Sequence, residues 1–563
     1  MNRRSGIVWL AIFLVVAAFL RLYAVTEVGI YDLDEGLYLV DGHAKLNEWR
    51  LCADVAKVKL EELRGGPEFL LSEQLPGLRD ALAKETPFAG KHAYYYLIAL
   101  IMLLTGPVVW SGIMIDAVAG IGSVWLVHGF VKRLWSERAG LIAAGITALC
   151  AYHVFYSRRV YGTTSIAFLF MAAVYCHLRA VQCREEGGTP RRERLLLTAC
   201  GIFAGLCFIV NFQIAVLLPV LVLIHFFTSM KRGNAATASR WLLEGGLLVL
   251  LGFAIPIACM EAASYPMILL FRSQGLQYPH GTFLELVTPK LTSHLGHSFY
   301  WSGFVLLPFF LGVLDGYPVL VLCAVLPLMA LLVSRGHREQ SSSSRARAII
   351  YLACWFLVPF VIFSTKTPQS SRIFVNCLPP LFAALAIFAD IVWSYSGNRK
   401  RAVRAILVLV LAIAGISSTL HNVELLRMRS GYPELMRWLA STPEKGASAP
   451  YGLVLLSYLR EYGLPGGSYT TYKTYGIEPP PYFVADRTEL WDKRYPDESE
   501  FLPPGARPVQ QFQHRFGRML LEAGAFPPEG NPIENIRWVR NLDLERARQV
   551  LVYDIRTWDG RTP

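Results

Sequence analysis

The chain is short of charge and of metal-binding patterns. Asp, Glu, Lys and Arg make up only 17% of its 563 residues, against 54% hydrophobic, with a mean hydropathy of +0.38. Soluble domains carry about a quarter charged residues, so this composition excludes an ordinary soluble protein. Cysteine is present ten times, but no Cys-x-x-Cys pair occurs and none lies beyond Cys377. Most fall inside apolar runs between Cys150 and Cys377, which argues against both a disulfide framework and a structural zinc. No His-x-x-Glu-His motif is present, so no metal ligand set is expected. Internal repeats are absent, which counts against the repeat-built transporters. Asn211-Phe-Gln213 does not meet the glycosylation rule.

What the chain does have is long apolar runs separated by basic blocks. Net charge is +12, concentrated in Arg3-Arg4, Lys132-Arg133, Arg191 to Arg194, Lys231-Arg232, Arg335 to Arg347 and Arg399 to Arg401. Short basic blocks between apolar runs follow the positive-inside pattern and call for no nucleic-acid partner. The start, basic and then apolar, has the look of a signal peptide without a small-residue cleavage site; it reads as an uncleaved anchor. Spans are expected at 6–25, 113–131, 139–155, 162–181, 241–260, 317–334, 347–364, 372–394 and 402–420, with two more in 195–230 turning at Asn211. Each approaches the roughly 17–25 residues a bilayer requires. Tyr94 to Gly106 and Phe299 to Val313 read as helices in the interface, which keeps every basic block cytoplasmic. The expectation is eleven spans, or thirteen if neighbouring stretches split into pairs.

The predicted fold is a polytopic α-helical membrane protein with a small C-terminal α/β domain. Residues 1–420 form the membrane domain, with a first outer loop at about 26–112; residues 421–563 form the soluble domain. Within the latter, strands are expected at 452–457 and 550–553, and helices at 433–440 and 512–523.

Chemistry-bearing residues gather on the outer face of this topology. Asp32, Asp34 and Glu35 follow the first span; Lys91, His92 and Tyr94 to Tyr96 end the first loop. Arg158 and Arg159 close the third span, and Lys366 and Arg372 bracket the hairpin before the tenth. Charge at the hydrocarbon boundary is expensive unless it is paired, hydrated or used. Carboxylates facing cations suit a site that activates a nucleophile and holds a phosphate at membrane depth. A lipid-linked phosphosugar fits, because polyprenyl phosphate leaves as a stabilised anion. One carboxylate base on the acceptor then suffices, whereas glycoside hydrolysis usually takes two.

Blander readings apply to each group. Asp34 and Glu35 could cap a helix. Arg158, Arg159, Lys366 and Arg372 could reach to headgroups. His43 and His92 could be plain loop residues, and Tyr94 to Tyr96 an interfacial belt. Asp116, inside a span, is either structural or faces a cavity.

Taken in order, Asp34-Glu35, Gly90-Lys-His-Ala-Tyr-Tyr-Tyr96, His153-Val-Phe-Tyr-Ser-Arg158 and Pro359 to Lys366 with Arg372 and Pro379-Pro380 resemble the GT-C glycosyltransferases. The nearest group is the protein O-mannosyltransferase and aminoarabinose transferase type, over residues 1–420. The resemblance implies a GT-C fold, a polyprenyl-phosphate sugar donor, inversion at the anomeric carbon, and a lipid, glycan or protein acceptor. It maps the base onto Asp34, with Glu35 beside it, and phosphate ligands onto Lys91, Arg158 or Arg159, Lys366 and Arg372. Asp32, His92 and Tyr94 are further candidates. Two departures matter. Tyr161-Gly-Thr-Thr164 is neutral where many members carry a second acid, so a divalent metal is not favoured and no cofactor is required. Leu37 stands where aminoarabinose enzymes have arginine. The expected location is a bacterial inner or plasma membrane, with the tail periplasmic or extracellular. A transporter or flippase of lipid-linked sugars is the alternative function.

Overall fold

The apolar runs become helices in this computed structural model. It describes residues 3–31, 33–63, 92–230, 235–273, 282–285, 287, 302–334, 342–365, 371–450, 452–469, 472, 478–488, 501–502, 505–517, 520 and 543–557. Asp32, Lys91 and Lys366 lie outside the described residues, as does the side chain of His92.

Helix α1 (Arg3–Leu22) leads to α2 (Leu33–Leu63), which carries Asp34 and Glu35 in its first turn, and then to the apolar α3 (His92–Thr105). Then follow α4 (Trp110–Leu134), α5 (Glu137–Leu149), α6 (Ala151–Ser157), α7 (Thr163–Glu185), α8 (Pro190–Val210), α9 (Leu218–Met230) and α10 (Ala235–Ser273). The rest of the helical body is α11 (Leu306–Leu314), α12 (Tyr317–Ser334), α13 (Ser342–Thr365), α14 (Leu378–Trp393) and α15 (Lys400–Leu426).

Eight helices among the described residues are long and apolar enough to cross a membrane, or nine if α5 and α6 count as one bent span. Three shorter apolar helices, Ala93–Thr105, Leu218–Met230 and Tyr317–Val333, accompany them; the last two fall on expected spans and the first on an expected interfacial helix. The third span differs from expectation: it breaks at Cys150, and α5 and α6 meet at 58°. Its cause is a buried acid described below. Helix α10 also runs well past 241–260, through Pro256 and Pro266, to Ser273.

The C-terminal domain holds α16 (Tyr432–Ser441) and α17 (Leu453–Glu461) against strands β1 (Ala447–Ala449), β2 (Gly466–Ser468), β3 (Tyr482–Asp486), β4 (Gln510–Gln513) and β5 (Gln549–Asp554). Sheet order is β2-β1-β3-β5-β4; β1 runs parallel to β2 and β3, while β5 is antiparallel to β3 and β4. Parallel neighbours need a crossover, and α17 supplies it between β1 and β2. Two expected elements are corrected here. The apolar run Gly452 to Ser457 is helical, because Gly452 (φ +71°) turns the chain into α17. Phe512 and Gln513 belong to strand β4 rather than to a helix.

Candidate active site

The site grows from the N-terminus of α2. Asp34 and Glu35 are consecutive, so they point about 100° apart on the helix. They meet different partners. Asp34 Oδ2 accepts from Arg372 Nη1 at 2.5 Å. Glu35 Oε2 meets Arg159 Nη2 at 2.6 Å. The first pair stays partly open, with 37% of the Asp34 side chain and 29% of Arg372 exposed. The second is sealed, at 0% for Glu35 and 3% for Arg159.

Glu35 has a structural duty that explains its burial. Its Oε2 accepts from the Tyr31 amide at 3.0 Å and its Oε1 from the Val160 amide at 2.9 Å. It caps its own helix, in the manner of a reciprocal cap, and also holds the loop after α6. Arg159 sits among the rings of Tyr31, Phe155 and Tyr161, 5.2–5.6 Å from their centroids. Arg158 turns the other way. Its Nη1 donates to the Leu20 and Tyr23 carbonyls at 3.0 and 2.9 Å, closing the end of α1. The loop arginines expected at a donor phosphate are therefore both committed: Arg158 to backbone and Arg159 to a buried acid.

Two more acids hold the same loop. Asp116, on α4, accepts from the Gly162 and Ser165 amides at 2.7 and 2.8 Å and from Ser165 Oγ at 2.7 Å. It caps α7 from a neighbouring helix and is structural. Tyr94, fully buried, donates to Asp116 at 3.1 Å. Tyr94 and Tyr95 are thus core residues and not an interfacial belt. Asp315, which the sequence did not single out, accepts from the Ala151 and Tyr152 amides at 2.5 and 3.1 Å and from Ser418 Oγ at 2.9 Å. A carboxylate on the first amides of α6 explains why the third span breaks at Cys150. Glu35, Asp116 and Asp315 come from three elements, and together they fix residues 150–165 by their backbone.

Arg372 is positioned through its neighbour. Ser371 opens a 3₁₀ turn, Ser371–Cys377, ahead of the Pro379-Pro380 start of α14. Tyr152 Oη donates to the Ser371 carbonyl at 2.5 Å, and the Tyr156 hydroxyl bonds Ser371 Oγ. Tyr161 lies 5.1 Å under the Arg372 guanidinium and so serves both arginines of the site. Tyr156 and Tyr161 entered the sequence reading only as parts of motifs and Tyr152 not at all, because their partners are distant in the chain.

The C-terminal domain packs directly on this turn. Ser457 Oγ donates to the Gly36 carbonyl at 3.2 Å, and Arg460 Nη1 reaches the Val40 carbonyl and His43 Nδ1, each at 3.2 Å. A Cβ on Gly36 would come within 2.6 Å of the Val454 backbone, so only glycine allows this approach. His43 is therefore an interface residue. Burial, with Arg460 and Arg50 nearby, pushes its pKa down to about 4, in keeping with a neutral ring that accepts from Arg460. Tyr31 joins the domains as well, edge-on to His514 and Phe516 at 5.2 and 5.7 Å.

Glu35 is spent on Arg159 and two amides, the loop at Tyr161 to Thr164 is neutral, and among the described residues no three His, Cys, Asp or Glu side chains gather as ligands would. The Asp34 carboxylate and the Arg372 guanidinium beside it are both partly exposed.

Comparison with known proteins agrees with this architecture. The family model for dolichyl-phosphate-mannose-protein mannosyltransferases matches residues 92–258. The undecaprenyl phosphate-alpha-4-amino-4-deoxy-L-arabinose arabinosyl transferase of Pseudomonas aeruginosa is 27% identical over 299 residues, 53% of this chain and 48% of that protein. The chain spans about half the length of the curated relatives it matches. In structure it is similar to ArnT from Cupriavidus metallidurans, with a TM-score of 0.56 and 13% identity over 98% of both chains in the apo state. Against the same protein bound to undecaprenyl phosphate the TM-score is 0.51, at 13% identity over 100% of both chains. The chain is a multi-span membrane protein with the GT-C fold, and part of its sequence is similar to aminoarabinosyl- and mannosyltransferases.

Proposed function

We propose that this chain is an inverting glycosyltransferase, moving a sugar from a polyprenyl-phosphate donor to an acceptor on the outer face of the membrane. The observation that carries the reading is the open Asp34–Arg372 pair beside a sealed copy of the same chemistry. An exposed ion pair contributes on the order of 0–1 kcal/mol, so a ligand can exchange it without unfolding anything. The donor phosphate takes Arg372 away from Asp34. The freed carboxylate then accepts the proton of the acceptor nucleophile as it attacks the anomeric carbon from the side opposite the phosphate. The carbon–oxygen bond to phosphate breaks, and both its electrons leave with the polyprenyl phosphate, whose charge Arg372 stabilises. Lys91 and Lys366, close in sequence to His92 and to Arg372, complete the phosphate ligands in this reading. Glu35, Arg158 and Arg159 position the loop.

A polyprenyl carrier is favoured by the undecaprenyl-phosphate sugar for which the Pseudomonas relative is named and by the undecaprenyl phosphate bound to ArnT. The C-terminal domain lies on the outer side in this reading and takes part in acceptor choice, because it packs one residue from Glu35, at Gly36. The test is incubation of the purified protein in proteoliposomes with radiolabelled polyprenyl-phosphate sugars and lipid, glycan or protein acceptors. A new glycosidic product with release of polyprenyl phosphate is expected. Movement of the donor between leaflets without any new glycosidic bond would replace this reading with a flippase.

A further inference from the structure

Behind Tyr31, walled off by His514 and Phe516, lies a cavity of about 770 Å³ for which the transfer reaction has no use. Its walls are of two kinds. Phe19 and Tyr23 at the end of α1, with Val423 and Leu426 at the end of α15, supply the apolar side. Arg427, Arg429, Arg515 and Arg548 supply four guanidiniums, against one lining carboxylate among the described residues, that of Glu424, which rests beside Gly517.

Two of the arginines are already held. Arg429 pairs with Glu27 at 2.5 Å; Arg548 pairs with Glu545 at 2.5 Å and donates to the Phe516 carbonyl at 2.9 Å. Arg427 and Arg515 are exposed and have no side-chain partner among the described residues. A cation at a helix C-terminus suits the helix dipole, and that alone would account for Arg427. It does not account for Arg515, which comes from beyond β4 in the other domain and lines the same cavity. Nor is a concentration of arginine usual at the outer ends of spans, where the charge bias runs the other way.

The apolar side identifies the occupant. Phe19 is 53% exposed, Val423 39% and Leu420 65%, so a lipid-facing strip on α1 and α15 runs up to the arginines. A free anion would gain nothing from that strip. We propose that this cavity binds an anionic phospholipid, its phosphate on Arg427 and Arg515 and its acyl chains along α1 and α15. Such a lipid bridges the first span, the last span and the C-terminal domain, and so tethers the domain on the first turn of α2. The site stands or falls independently of the transfer reaction.

The test uses the delipidated full chain in detergent, titrated with dioleoyl phosphatidylglycerol or dioleoyl phosphatidylcholine and read by native mass spectrometry. Wild type is expected to prefer the anionic lipid by at least about tenfold, the effect of one good charge-assisted contact. Arg427→Gln/Arg515→Gln is expected to lose that preference, and Arg427→Lys/Arg515→Lys to keep part of it. Because both side chains are exposed, melting without lipid should be unchanged. Equal binding of the two lipids, or a preference that survives the double Gln change, would overturn the proposal. So would displacement of the lipid by millimolar glycerol phosphate, which would mark a soluble-anion site instead.

Discussion

Asp34 and Glu35 are neighbours on one helical turn, and each meets an arginine from elsewhere in the chain at 2.5 or 2.6 Å. Their surroundings separate their roles. Around Glu35 the backbone amides of Tyr31 and Val160 and the ring of Tyr161 leave no room for water or substrate, and the pair is a fastening. Around Asp34 the pair is partly exposed, so solvent screens its attraction more than that of the buried pair. Carboxylate chemistry alone does not make a base; access does.

The contrast predicts opposite consequences for equivalent substitutions. Asp34→Asn should lower transfer by about 10²- to 10⁴-fold, the range for loss of a general base, with melting temperature nearly unchanged. An Asp34→Asn protein that transfers at the wild-type rate removes Asp34 from the chemistry. Arg372→Gln should weaken donor binding by about 10- to 100-fold, as for one charged hydrogen bond of about 1.5–3 kcal/mol, seen as a raised KM for the donor. An unchanged KM would leave Arg372 as a surface partner only.

On the sealed side, Glu35→Gln strands the Arg159 charge in a buried place and should cost about 3–5 kcal/mol of stability. Thermal unfolding in detergent reads this directly, while turnover per folded molecule should stay within a few fold. Loss of turnover without loss of stability would make Glu35 a participant. The smallest effect is at the domain contact. The folded His43 pKa of about 4 lies below its ordinary value, so this contact is fully stabilising above about pH 6.5 and weakens as pH falls toward 4. After allowance for partial solvent screening, the loss is about 1–2 kcal/mol. A wild-type melting temperature that drops no more than that of His43→Gln between pH 7 and 4.5 would contradict it.

Much of the site was legible before the fold. Asp34 and Arg372 were brought to one face by charge bookkeeping over spans 300 residues apart, because membrane insertion sorts basic loops by side. Arg158 and Arg159 could not be told apart, being identical residues in one loop whose aim depends on the carbonyls of Leu20 and Tyr23 and on Glu35. Asp315 was not singled out, because its role comes from amides more than 160 residues earlier in the chain. The run Gly452 to Ser457 is six residues without a clear period, too short to separate helix from strand. Docking on Gly36 decided it for helix.

The most direct measurement is equilibrium binding of polyprenyl phosphate to wild type, Asp34→Asn and Arg372→Gln, set beside transfer by the same preparations. If one guanidinium is shared between Asp34 and the phosphate, Asp34→Asn binds at least as tightly as wild type yet transfers almost nothing, and Arg372→Gln binds weakly. Parallel loss of binding and transfer in Asp34→Asn, or undiminished binding in Arg372→Gln, would contradict that exchange.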